Sequence, residues 1–263
     1  MLSNLLRPIL LTLVELHVDT IEAWMLESLS AIIATSRIQG LTLVCCTFDD
    51  LNMGTVATVA TLRHLRQWLN QTPVRAFQVF GWIWPEPDQT DRDSFLVALF
   101  HCPTMESLKW HFMDFTTFGF DNIVLGMPVL ELSKCIFDGN DEIGNVAAFC
   151  ASVGKSTQLV RLTVNAFGIY DGIVALLENV VTSNVRHLVL TYSELGGKSW
   201  WRTLAPLLTA CRLETLDLSF NDVVHDDVDA RAAVFENNPT LEAIEFGGDA
   251  IIVNGHSVGC SRR

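Results

Sequence analysis

Basic residues are scarce in this chain and never gather. Its 17 Lys and Arg stand against 30 Asp and Glu, a formal charge of −13, and the longest Lys/Arg run is the terminal pair Arg262-Arg263. Nucleic-acid binding depends on clustered cations that neutralise phosphates, so this composition excludes it and favours a partner with a basic face. Long apolar runs are missing too. Although 49% of the residues are hydrophobic, no stretch reaches the ~18 uncharged apolar residues that a membrane helix needs. Strands buried in a parallel sheet absorb such apolarity instead. The opening stretch from Pro8 to Val14, with Arg7 as its charge, imitates a secretory signal, but no small-x-small cleavage site follows it.

Patterns for metal ligands and nucleophiles are also lacking. The Cys residues, at 45, 46, 102, 135, 150, 211 and 260, are odd in number and have no paired spacing. That argues against zinc or a disulfide framework and predicts reduced core thiols, with Cys102, Cys150 and Cys211 ending helical segments, in an intracellular compartment. The His residues form no H-E-x-x-H, and no G-x-S-x-G elbow is present. The triplets Gly154-Lys155-Ser156 and Gly197-Lys198-Ser199 fail as phosphate loops, because the required first Gly is Phe149 in one case and Tyr192 in the other. The acidic run from Asp222 to Asp229 lacks the Gly and closing Glu of a calcium loop. Its carboxylates suit the start of a helix, where they favour the dipole, and Asp88, Asp91 and Asp93 before Ser94 read the same way. The expectation is a non-enzymatic protein with no catalytic residue, metal or cofactor.

What the chain does have is a recurrent spacing. Leu213, Leu216, Leu218, Asn221 and Val223 fit L-x-x-L-x-L-x-x-N-x-L. An apolar residue followed three, five and ten positions later by others gives nine block starts: Leu11, Ile38, Val74, Met105, Met127, Leu159, Val185, Leu213 and Leu241. Their separations are 27, 36, 31, 22, 32, 26, 28 and 28 residues. Between them, Asp171 to Val181, Trp200 to Thr209 and Asp229 to Phe235 carry apolar residues at helical spacing. The block is therefore strand, loop, helix, loop. Stacking such blocks buries a strand face that none can bury alone.

The pattern resembles the ribonuclease-inhibitor-like subfamily of leucine-rich repeat proteins, most closely over Leu213 to Asp222 and Ala230 to Glu242. The resemblance implies an α/β solenoid, a horseshoe of about nine repeats in one domain over residues 1–263, with a concave parallel sheet, convex helices and recognition of a protein partner. The same repeat type serves as the substrate-reading part of ubiquitin-ligase adaptors and immune sensors, though only ten residues precede Leu11. It also occurs in GTPase-activating proteins, whose catalytic Arg loop is not identifiable here. At the ninth position only Asn221 is Asn; the others are Asp19, Cys46, Trp82, Met113, Cys135, Phe167, Ser193 and Asp249, so the turn hydrogen bonding must be patchy or replaced.

Strand alternation turns the fourth and sixth positions inward and the third, fifth and seventh outward, with the eighth at the strand exit. The fifth-position column begins Glu15, Thr42, Gln78 and the seventh begins His17, Val44, Phe80. Aromatic residues on a rigid surface anchor interfaces, which selects Phe80, His111, Phe112, Tyr192 and Phe220, the last two forming one patch with Thr191 and Ser219 around it. Trp84 joins them, since Pro85 and Pro87 make its surroundings an extended loop, while Trp82 turns into the core. At the carboxyl end no polar cap follows Leu241 to Phe246, so that edge self-associates or is covered by Ile251 to Val253 folding back as a strand.

Overall fold

The apolar fourth and sixth positions become the buried faces of short strands. A computed structural model describes residues 14–19, 21–45, 55–84, 89–137, 144–165, 172–193, 195, 198–221, 234, 236–246 and 249–252. The N-terminal apolar run with Leu11, Cys46, Pro85 to Asp88, Phe167, the acidic run Asp222 to Asp229, most of the expected helix that follows it, and Val253 and Cys260 lie outside the described residues. The class is α/β, with parallel strands alternating with helices. The chain divides into two compact units, residues 1–118 with 126–129, and residues 119–125 with 130–263.

In the first unit the order is β1 (Glu15–Asp19), α1 (Ala23–Ile33), β2 (Gly40–Val44), β3 (Thr55–Val56), α2 (Val59–Gln71), β4 (Ala76–Phe80), β5 (Trp82–Ile83), α3 (Gln89–Phe100) and β6 (Ser107–His111). Strands β1, β2, β4 and β6 are successive parallel neighbours. Leu41, Phe77 and Leu108 share one register row and Leu43, Val79 and Trp110 the next, all 0–1% exposed. The blocks from Ile38, Val74 and Met105 thus align as their spacing requires.

The first strand departs from its expected place. His17, not Glu15, pairs with Thr42, and Leu16 pairs with Leu41. The block therefore runs two residues later than a start at Leu11 puts it. A two-residue slip leaves strand alternation intact, and Leu13, Leu16 and Val18 satisfy the apolar spacing as well as Leu11, Val14 and Leu16 do. Burial separates the two readings, since Val14 is 56% exposed.

Large rings fill the core of this unit. Phe77 packs edge-on against Trp68, Phe95 and Trp110 at centroid separations of 5.9, 6.3 and 6.1 Å, geometry that adds about 0.5–1.5 kcal/mol per pair beyond burial. The Trp68 indole N–H donates to the Ile38 carbonyl at 2.7 Å. Helix α2 is capped by Thr58, whose hydroxyl accepts from the Thr61 N–H at 3.1 Å and donates to Glu27 of α1 at 2.7 Å. Asp91 sits in the first turn of α3, as the dipole argument expects, and also takes two hydrogen bonds from Arg63 of α2, at 2.6 and 2.9 Å.

The second unit runs β7 (Val129–Ser133), which enters it from Leu130 onward, α4 (Gly144–Lys155), β8 (Arg161–Asn165), α5 (Gly172–Thr182), β9 (His187–Thr191), α6 (Lys198–Ala210), β10 (Thr215–Asp217), β11 (Ala243–Phe246) and β12 (Asp249–Ile252). Leu162, Leu188, Leu216 and Ile244 share one parallel row. Helices α5 and α6 coincide with the first two of the three periodic segments read from the sequence. Strand β12 instead runs antiparallel to β11, with Ile244 opposite Ile251, so the chain folds back over the edge with Asp249 to Ile252 as the returning strand.

Residues 112–128 contain no helix. A separation of 22 residues between block starts leaves no length for one, and buried rings take its place. Phe118 stacks on Phe100 at 6.0 Å in the first unit, and Phe120 meets Phe137 and Phe149 at 5.7 and 5.4 Å in the second. Cys45, Cys102, Cys135, Cys150 and Cys211 are all buried. Cys102 and Cys211 follow α3 and α6, but Cys150 lies inside α4, its thiol donating to the Gly172 carbonyl at 3.7 Å. Among the described residues no helix is long and apolar enough to cross a membrane.

Candidate strand-exit surface

Simple alternation sends the eighth position of each block into the core after an outward seventh. The backbone prevents this. Phe112, Lys134, Tyr192 and Phe220, all at the eighth position, have φ of 60°, 53°, 53° and 60°, and Gly81 at the same place in its block has 67°. Only the glycine adopts this left-handed conformation freely; an L side chain there costs roughly 1–2 kcal/mol. The turn keeps the eighth side chain outward and sends the ninth in. Tyr192 and Phe220 are 52% and 55% exposed, whereas Leu190 and Leu218, two residues earlier, are 1% exposed.

Tyr192 and Phe220 stack face to face, with centroids 4.6 Å apart and ring planes 5° from parallel. Asn221 pins the turns that carry them. Its Oδ1 accepts from the Ser193 N–H at 2.6 Å, and its Nδ2 donates to the carbonyls of Leu190 and Leu218 at 2.5 and 2.9 Å. One buried amide therefore ties the exit after β9 to the exit after β10. Asp217 adds a further restraint, with Oδ1 accepting from the Ser219 N–H at 2.8 Å. Its carboxylate consequently lies beside the residue that precedes Phe220. Thr191 and Ser219, expected at the margin of the patch, are 7% and 4% exposed and belong to its buried support.

The candidates in the first unit are placed differently. Phe80 and His111, opposite each other in register, stack at 4.1 Å with planes 21° apart, both half-buried, and Phe112 is half-buried beside them in sequence. Trp82 is 2% exposed, in the core as expected. Trp84 directly follows β5. Its ring is half-buried between Trp82 and Trp110 at 6.0 and 5.7 Å, its N–H donates to the Asp114 carbonyl at 2.7 Å, and the Arg92 guanidinium lies 5.9 Å from its centroid. Phe80, Trp84, His111 and Phe112 belong to one unit and Tyr192 and Phe220 to the other.

Other side chains that invite chemistry have structural employment. Gly154-Lys155-Ser156 lies at the carboxyl end of α4, opposite to the helix end that cradles phosphate. Ser156 accepts from the Leu125 N–H at 3.0 Å and donates to the Ser152 carbonyl at 2.6 Å. Burial pushes the Cys211 thiol up to about 12, which holds it protonated and unreactive at neutral pH. No group of three or more His, Cys, Asp or Glu is placed to hold a metal among the described residues. Sequence reasoning missed the paired exposed residues Val56 and Ile83, joined in the two-stranded β3–β5 ladder; two-residue strands carry no periodic signal. No protein family and no curated protein matches the chain.

Proposed function

We propose that this chain is a non-enzymatic, leucine-rich-repeat-type scaffold of a reducing intracellular compartment, and that it holds a protein partner on its strand-exit surface. The observation that carries the reading is the Tyr192–Phe220 pair, two exposed rings stacked at 4.6 Å. Folding alone gives no reason to put rings there. Each occupies a backbone conformation that penalises an L side chain, and each exposes more than half of its surface to water. Aromatic side chains that are rigid before binding lose little conformational freedom on association, the property that makes them interface hot spots. The aligned apolar rows support the repeat assignment, and five buried thiols support the reducing compartment.

Affinity capture with the full chain as bait, compared with a Tyr192→Ala/Phe220→Ala bait, tests the reading. A partner held by the native bait should be lost from the double variant, while the melting temperature stays within a few degrees. Identical sets of captured proteins from both baits would refute this site.

A further inference from the structure

The chemistry around the stacked pair narrows the partner. Between Arg212 and Arg231 the chain carries Glu214, Asp217, Asp222, Asp226, Asp227 and Asp229 and no Lys or Arg. Phe220 lies in the middle of that interval. In the structure Asp217 directs its carboxylate to the Ser219 N–H at 2.8 Å, next to Phe220, and Glu245, its register partner on β11, is an exposed carboxylate on the adjacent strand. An exposed π face beside fixed negative charge is the complement of a flat cation. A guanidinium stacks on an aromatic face, is more weakly hydrated than an ammonium, and presents a fork of donors to a carboxylate.

We propose that the Tyr192–Phe220 surface receives an arginine side chain from a basic segment of its protein partner. The guanidinium stacks on the outer face of the ring pair and pairs with Asp217. Since the two rings already cover each other's inner faces, one arginine is accommodated per free face. The formal charge of −13 steers a basic segment toward this chain at low ionic strength. This inference rests on the ring pair being the binding centre.

Three fluorescent twelve-residue peptides with glycine and serine spacers separate the possibilities, one carrying four arginines, one four lysines and one four citrullines. Anisotropy titrations on the full chain at low salt should rank arginine above lysine by at least about threefold, with citrulline weakest. Phe220→Leu, which keeps apolar bulk but removes the π face, should weaken the arginine peptide roughly fivefold. Asp217→Asn should weaken it by a similar factor and flatten its salt dependence. Circular dichroism confirms that each variant is folded before titration. Equal binding of the arginine and citrulline peptides, or an unchanged Phe220→Leu, overturns the inference. If no peptide binds while the double alanine bait still loses its captured partner, the scaffold reading stands and the arginine assignment alone falls.

Discussion

Replacing Asn221 by Ala tests whether one side chain holds the two strand exits together. Its amide makes three hydrogen bonds to buried main chain: it accepts from Ser193 and donates to Leu190 and Leu218. Asn221 itself is 2% exposed, so water cannot simply replace it. A net hydrogen bond contributes about 0.5–1.5 kcal/mol, and a buried group left without its partner costs about 1–3 kcal/mol. Carbonyls retain a second lone pair and suffer less than the Ser193 N–H. The expected loss is therefore about 3 kcal/mol. Asn221→Asp is the informative companion. It keeps an acceptor for Ser193 but sets a carboxylate against two carbonyl oxygens, so it should lose at least as much as Ala. Urea denaturation followed by far-ultraviolet circular dichroism measures both, with the m-value reporting whether the unfolded ensemble has changed. A loss below about 1 kcal/mol for the Ala variant, or near-native stability for Asp, would refute the bridge.

Leu218→Ala should lose about 2–5 kcal/mol by truncating a core side chain, while Asp217→Ala, on the opposite face, should lose only about 1 kcal/mol through its bond to Ser219; equal losses in denaturation would overturn the inward and outward assignment. A methyl group added at Gly154 overlaps the Asn179 amide and comes within 3.2 Å of its Cβ, so Gly154→Ala should cost about 1–3 kcal/mol. In an Asn179→Ala background most of that cost should vanish, and an additive double-mutant cycle would contradict the contact. Lys134→Gly, at φ 53°, should raise stability by about 0.5 kcal/mol, the relief of left-handed strain less the entropy of glycine; a loss in denaturation would count against the strain argument. Burial raises the Cys211 thiol from 9.0 to about 12, and its protonated form is the one the fold favours. That contribution is complete below pH 9 and is lost as pH rises toward about 12. Stability of Cys211→Ala relative to native should therefore improve across that window, and a constant difference would disprove the linkage.

The strands were legible because their signal is strong and redundant. Ile38, Leu41 and Leu43 repeat as Val74, Phe77 and Val79 and again as Leu213, Leu216 and Leu218, and every one of these is buried. The first block misled because period-two alternation cannot distinguish a two-residue shift, and only pairing of Leu16 with Leu41 decides it. Asn221 was visible as the one asparagine in its column, although its reach to Ser193 and Leu190 in the preceding block was not. The left-handed exits were hidden for a different reason. Phe, Tyr and Lys are not residues that favour positive φ, so local preference argues against the conformation that four of them adopt. The packing of Trp84 was likewise hidden in the sequence, because its partners, Trp110 and the Asp114 carbonyl, belong to the next block.

Strand β12 has a consequence for how such an array can lengthen. Strand β11 has β10 on one side and the reversed β12 on the other, so both of its hydrogen-bonding edges are occupied. A further strand running in the same sense has no free edge of β11 to meet and would face the reversed β12, with which it could pair only antiparallel. A strand that continues the parallel order has its place between existing strands, as β10 has between β9 and β11, and not on the far side of β11.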